Sequence, residues 1–545
     1  MSIPFPFGKS SLFSLAEFVS RLLGLFFLAH FMKAFGLDAG GVFRTALPLI
    51  ILASAVGSVG LPTALTRWLA ADGMPKRLSS QQKWTVVIAT LCAMVLTVLS
   101  LNAILKLSVI PLLGIGPVDS LLRFSVPLLL IMPTGGSLRG MLIGRGQNTL
   151  PAIAQACGAI TQVALINPVT VRFLERMHWN GGEAGVAIVT AAETVAVLVL
   201  IFGMMANLYW HALIERRQEE LQPEELQMEQ NSTVSRKKWL IWRDLRTIFR
   251  LTASPTLQTL LETLGFGLEL PMAEHLLTLQ FGPAMAQQWL AEYAAVAIPL
   301  LHFPMFAADG LATALLPTLT RGRATQGSQA LGPSLEQVVR SMFILSVPAS
   351  LVLFVFAPTF SSWLDAPEAA NLLRVMAPLA LFAYAQSPLS AVVQAHGRSR
   401  ALLYAGFAGD VSRLSALLLS MAVWHLGVWG LVCAFALGVS VETGVLYAFA
   451  WRITPIEIPW KSLGYSVLAG IEVCTVLIVA KHLPFAYGFS HYPLPWFVLA
   501  LVTGGTFLVL SKEIPPQAFL PVPVLGSPLN RIAKVLAGTD ETRSQ

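Results

Sequence analysis

SLFSLAEFVSRLLGLFFLAHF, residues Ser11 to Phe31, is apolar at nearly every position and carries one arginine, Arg21, near its middle. A hydrocarbon core about 30 Å thick takes roughly 20 such residues wound as a helix, so the stretch reads as a membrane crossing. A cation at the centre of a crossing costs at least ~2.5 kcal/mol if nothing neutralises it. Arg21 is therefore expected to face protein or water. Comparable apolar runs recur at Thr45 to Ala70, Thr85 to Leu113, Leu121 to Ile143, Val186 to Leu208, Leu335 to Ala357 and Trp496 to Leu510. Extending the count along the chain gives about fourteen crossings of an all-α membrane protein. Strands of a closed barrel would instead read as about ten alternating residues.

Composition agrees. Of 545 residues, 55% are hydrophobic and only 12% charged, against about 25% charged in an ordinary globular domain. The net charge of +7 sits between the spans, where sorting of positive charge to the inner side places it, and is no sign of nucleic-acid binding. Cys92, Cys157, Cys433 and Cys474 stand singly in apolar runs, without the spacing of a metal site or disulfide framework. The first run lacks a small-residue cleavage pattern and more spans follow it, so it is expected to stay as an anchor. Lys76, Arg77, Lys83, Arg145, the cluster Arg216 to Arg243, Arg321, Arg323, Arg398 and Arg400 fall on alternate connections, which puts both termini in the cytoplasm.

One long polar stretch, 211–246, divides the chain. Its acidic-then-basic order reads as a solvated cytoplasmic connector or as an amphipathic helix near the headgroups. The two sides resemble each other in order. Gly60-Leu61-Pro62-Thr63-Ala64-Leu65 matches Gly310-Leu311-Ala312-Thr313-Ala314-Leu315, Gly144-Arg145-Gly146 matches Ala395-His396-Gly397, and Ala184-Gly185-Val186 matches Trp429-Gly430-Leu431. Collinear matches of this kind mark an internal repeat. The expected organisation is a six-helix half over 1–210, the linker 211–246, a second six-helix half over 247–453, two further helices over 454–512 and a cytoplasmic tail over 513–545. Parallel repeats with six crossings each suit a transporter working by alternating access.

The run Ser20-Arg21-Leu22-Leu23-Gly24, then Phe35-Gly36, Gly40-Gly41-Val42-Phe43 and Gly60-Leu61-Pro62-Thr63-Ala64-Leu65, resembles the polysaccharide biosynthesis and stage V sporulation protein B branch of the multidrug/oligosaccharidyl-lipid/polysaccharide exporter superfamily. Leu138-Arg139-Gly140-Met141, Ile298-Pro299-Leu300 and Pro388-Leu389-Ser390-Ala391 continue the likeness in order. The resemblance implies a MATE-like fold and a bacterial cell-membrane flippase for a lipid-linked oligosaccharide, such as the polyprenyl-diphosphate peptidoglycan precursor used in cell-wall synthesis. Two alternatives stay open: a cation-coupled drug or metabolite exporter, and, more remotely, a polyprenyl-linked glycosyltransferase or polymerase. The latter would need a large outer loop or an Asp-x-Asp-like site, and neither is present.

Moving a diphosphate through hydrocarbon calls for arginine, whose fork pairs phosphate oxygens and stays charged. Arg21, Arg44, Arg67 and Arg139 are the candidates. Each also has a structural alternative: Glu17 lies one turn before Arg21, Arg44 and Arg67 can reach an interface, and Arg139 can anchor an inner end. Glu262 and Glu269 share a helix face and are candidates for coupling to H⁺ or Na⁺ or for counter-charges to Arg21, and His302 and Asp309 are further candidates for the coupling. His302 and Asp309 could form a proton relay. Asp410 and Arg413, three apart, read as a structural ion pair. No phosphate-loop motif argues for direct ATP drive, no cofactor or metal site is expected, and a monomer in the lipid bilayer is favoured.

Overall fold

A computed structural model of the chain describes residues 11–71, 80–107, 116–219 apart from 146, 148 and 178, 237–309 apart from 306 and 307, 312, 332–453, 459–482, 493–511 and 513. The side chains of Glu17, Arg44 and Glu262, and most of 211–246 and of the tail, lie outside the described set. The described residues are helical and contain no strand. In chain order the helices are α1 (Ser11–Phe35), α2 (Leu37–Ala55), α3 (Leu61–Ala71), α4 (Ser80–Leu107), α5 (Gly116–Phe124), α6 (Val126–Gly144), α7 (Thr149–Leu165), α8 (Pro168–Arg176) and α9 (Gly181–Glu219). They continue as α10 (Lys237–Phe281), α11 (Pro283–Ala291), α12 (Ile298–His302), α13 (Gly332–Trp363), α14 (Ala370–Ala395), α15 (Ser399–Leu418), α16 (Trp429–Ile453), α17 (Trp460–His482) and α18 (Pro493–Leu510).

Among the described residues ten helices are long and apolar enough to cross a membrane, and eleven when α7 and α8, bent by 74°, count as one broken span. The expected fourteen is reached only if α10, the α11–α12 run and α18 cross as well. Only helices and closed barrels satisfy every backbone group without water, so an all-helical chain with these apolar runs is a multi-pass membrane protein.

Packing divides the chain into two compact units. One is Ala34–Met272, and the other joins Met1–Lys33 to Ala273–Gln545. Within the first, α6 lies against α2 and α3 through glycines four apart. A Cβ on Gly136 would overlap Gly57 O, and one on Gly140 would overlap Pro62 O, while at Gly144 it would come within 3.0 Å of Thr66 Cα. Small residues at four-residue spacing let membrane helices approach this closely, since lipid gives no hydrophobic drive for them to associate. Thr66 Oγ1 lies within donor reach of two carbonyls, Pro62 O at 2.9 Å and Gly140 O at 3.0 Å, joining the two helices. Between α2 and α3 the chain makes a π-helical turn, Val56–Gly60, with Ser58 Oγ donating to Ser54 O at 2.9 Å. A second π-turn, Glu292–Ala297, precedes α12.

In the other unit, α17 packs on α13, with Gly470 admitting Leu351 and Pro348, and α18 packs on α17. Arg340 Nε donates to Glu513 Oε2 at 2.6 Å, fastening the start of α13 to the residues after α18.

Local geometry carries the internal repeat further than composition does. Phe35-Gly36 ends α1 and Phe281-Gly282 ends α10; Gly36 has φ 89 and ψ 163, and Gly282 has φ 86 and ψ 162. That region is open essentially to glycine alone. The turns after α6 and α14 also correspond: Gln147 N–H donates to Leu142 O, and Arg398 N–H to Val393 O. Both α6 and α7 pack on α9, just as both α14 and α15 pack on α16.

Gly140→Ala is expected to destabilise the protein by about 1–3 kcal/mol, because the added methyl meets fixed backbone. Gly24→Ala, with nothing within 4 Å of the new Cβ, should leave thermal unfolding in detergent unchanged or slightly improved. Equal melting temperatures for both variants would contradict the close α3–α6 contact.

Candidate functional site

Arg21 occupies the middle of α1, where apolar neighbours leave its guanidinium no solvation of their own. Its Nη1 donates to His302 O at 2.8 Å and its Nη2 to Asp309 Oδ2 at 2.6 Å. The second Asp309 oxygen, Oδ1, accepts from Ser387 Oγ at 2.5 Å. Ser387 stands on α14 three residues after Tyr384, whose hydroxyl donates to Leu301 O at 2.8 Å. One face of α14 thus holds both the end of α12 and the carboxylate that follows it. Phe18, one turn before Arg21, adds a ring contact to Phe303 at 5.9 Å between centroids.

The pair is not sealed. Side-chain exposure is 26% for Arg21 and 35% for Asp309, so both are half-buried. A fork with separate partners on Nη1 and Nη2 can give up one and keep the other.

The remaining candidates fall elsewhere. Arg139 Nη2 meets both oxygens of Glu193, at 2.8 and 3.0 Å, linking α6 to α9. A Cβ on Gly135 would lie 2.9 Å from Glu193 Oε1, so glycine makes the room for this carboxylate. At the corresponding place in the later part of the chain, Gln386 Nε2 donates to Glu442 Oε2 at 3.0 Å, linking α14 to α16. Glu442 in turn lies over Gly409. Glu193 and Glu442 are thus each held by a long polar side chain from another helix, Arg139 of α6 and Gln386 of α14.

His302 and Asp309 are brought together through Arg21, by the His302 carbonyl and the Asp309 carboxylate. The His302 ring has its own partner, with Nδ1 2.8 Å from Ile298 O. Glu269 is fully buried on α10, and Asp309 is the described counter-charge to Arg21. Arg67 is half-buried near the end of α3. Arg413 is buried, with Nε where a Cβ on Gly438 would come within 2.8 Å, and Asp410 lies one turn before it on α15. Sequence reasoning singled out Arg21 and Asp309 but did not join them, and it missed Ser387 and the Arg139–Glu193 pair. No spacing rule relates residues on helices this far apart in sequence.

The sequence matches the MatE family over residues 290–417, a range that contains His302, Asp309 and Ser387. It is 24% identical over 527 residues to stage V sporulation protein B of Bacillus subtilis (strain 168), covering 94% of this chain and 96% of that protein. It is 22% identical over 397 residues to the lipid II flippase MurJ of the same organism, covering 68% of each. Among solved structures, lipid II flippase MurJ in an inward closed conformation is similar with a TM-score of 0.62 at 13% identity, over 92% of this chain and 100% of that one. The fold is the one shared by these transporters.

For the Arg139–Glu193 pair, single replacement by Gln should cost about 1–3 kcal/mol each, because the remaining partner loses a charge-assisted hydrogen bond. Replacing both should cost less than the sum of the singles, with a coupling of about 0.5–3 kcal/mol in a double-mutant cycle read by unfolding in detergent. Additive costs would mean that the pair contributes nothing as a pair.

Proposed function

From the similarity of the chain to stage V sporulation protein B and to a lipid II flippase, we propose that it is a flippase that moves a polyprenyl-diphosphate-linked oligosaccharide across the bacterial cytoplasmic membrane by alternating access. The observation that carries this reading is the half-buried Arg21 fork, shared between the His302 carbonyl and Asp309. An incoming diphosphate oxygen takes the place of Asp309 on Nη2, while Nη1 keeps the His302 carbonyl. The substrate's charge is then matched by a cation already fixed in the fold, and Asp309 stays held by Ser387.

The same reading assigns the duplicated halves to 1–210 and 247–453, joined by 211–246, with both termini in the cytoplasm. Arg44 and Arg67 are secondary contacts for phosphate along its path. Arg139 supports the fold through Glu193, and Asp410 with Arg413 serve as a structural pair. Any coupling ion, H⁺ or Na⁺, is taken by the carboxylates Glu262, Glu269 or Asp309, with His302 alongside. Peptidoglycan precursor is the substrate suggested by the similarity to a lipid II flippase.

A second reading, a cation-coupled drug or metabolite exporter, is favoured by the MatE match, which falls over the segment holding Asp309 and Ser387. In that case Asp309 binds the ion or cation and Arg21 keeps it in place.

Reconstitution in liposomes with labelled polyprenyl-diphosphate lipids separates the two. Arg21→Ala is expected to slow flipping by about tenfold to a hundredfold, the equivalent of one charge-assisted phosphate contact, with normal membrane insertion. Asp309→Asn, which leaves Arg21 free for phosphate, should bind the lipid at least as tightly as wild type. Equal flipping by wild type and Arg21→Ala would overturn the phosphate role. Ion-driven efflux of organic cations, abolished by Asp309→Asn, would establish the exporter instead.

A further inference from the structure

The first turns of α10 carry a feature that the transport reading does not use. Leu245 and Ile248 are buried against Leu61, Leu65, Val86 and Ala89 of α3 and α4. The opposite side of the same helix presents Trp242, Arg243, Arg246, Phe249 and Arg250, all exposed, Trp242 to 73%. At 100° per residue these five fall on one arc, with the two aromatics along one margin and the three arginines beside them. The same arc continues into Ala253 and Leu257, which are exposed and apolar. Within two turns, then, this face changes from guanidinium to hydrocarbon.

Gln81 Nε2 donates to Asp244 Oδ2 at 3.0 Å and so fixes the level of this segment against α4. One turn after Gln81, Trp84 is 61% exposed and begins an apolar stripe, Val87, Leu91 and Val95, that is also exposed. In a membrane protein such a stripe faces acyl chains, and tryptophan gathers at the level of the headgroups. Trp84 and Trp242 therefore mark the same interface on neighbouring helices; Arg243 stands at that level, and Arg246 and Arg250, one and two turns further along, have side chains long enough to reach back toward the phosphates.

From this arrangement we propose that the start of α10 is a binding surface for acidic phospholipid headgroups, which hold the end of the 211–246 linker on the membrane. Arginine at i, i+3 and i+7 spans about two turns, enough for the phosphates of adjacent lipids. Asp244, the acidic group of this stretch, is turned to Gln81, with Arg243 Nη2 3.8 Å from its Oδ1. The aromatic margin favours lipid over a free anion, because it offers an apolar contact that inorganic phosphate cannot use.

The test uses the full chain in nanodiscs of equal phosphatidylglycerol and phosphatidylcholine, with protein-bound lipid measured after extraction. Wild type should enrich phosphatidylglycerol. Arg243→Gln/Arg246→Gln/Arg250→Gln should lose the enrichment by about fivefold per arginine, as expected for a cation near an anionic surface, whereas the corresponding triple lysine variant should keep most of it. Brominated phosphatidylglycerol should quench more fluorescence in wild type than in Trp242→Phe. Absence of enrichment in wild type overturns the proposal whatever the variants do. So does enrichment retained by the folded glutamine variant, or displacement of the lipid by millimolar inorganic phosphate. Displacement by stoichiometric polyprenyl-diphosphate lipid would reassign the surface to the transported substrate, an outcome independent of whether Arg21→Ala still flips.

Discussion

A guanidinium in the middle of an apolar helix has to be neutralised by protein, and here the carboxylate that does so is 288 residues away. Arg21 and Asp309 therefore act as a constraint on the course of the chain as well as a site. Together with the Arg21 bond to the His302 carbonyl and the Phe18–Phe303 contact, the pair explains why α1 belongs to the compact unit formed by the later part of the sequence. Burial alone would let α1 pack on any apolar face. The cation makes the choice, because a site lacking an acceptor would leave a charge in hydrocarbon.

The rest of the architecture follows from the same scarcity of water. Helices that gain nothing from hiding apolar surface come together through shape and through hydrogen bonds. Gly136, Gly140 and Gly144 supply the shape between α6 and its neighbours, and Thr66 spans the contact to the Gly140 carbonyl. Where the ladder of backbone bonds is loosened, at the π-turns Val56–Gly60 and Glu292–Ala297, side chains such as Ser58 return a hydrogen bond to a nearby carbonyl. Polar residues in this fold are thus placed for other polar groups, and Ser387 illustrates it: an ordinary serine on α14 orients the carboxylate that holds Arg21.

Much of this was legible in the residues. Apolar runs of the right length announced an all-helical membrane protein, and the collinear motifs announced the repeat. Arg21, His302 and Asp309 stood out because charge is costly in such runs. Their joining was not legible, since periodicity relates only residues on one helix, and the nearest local candidate for Arg21 was Glu17. Arg139 with Glu193 failed for the same reason, being 54 positions apart on α6 and α9. The matching glycines Gly36 and Gly282 could have been found, because each follows a phenylalanine at the end of a long helix, α1 or α10. Only the first was noticed, as part of a family-like run. The span count suffered at α10, at α11–α12 and at α18, where proline, charge or short length blurs the hydropathy signal.

The distance between Arg21 and Asp309 along the chain also sets an order of events during synthesis. Translation at about 5–20 residues per second leaves a delay of roughly 15–60 s between the synthesis of Arg21 and that of Asp309. Throughout that interval the first helix holds a positive charge whose permanent partner does not yet exist. That partner is made only after the whole of the compact unit Ala34–Met272, so the first helix belongs to a unit whose remaining parts are all synthesised later.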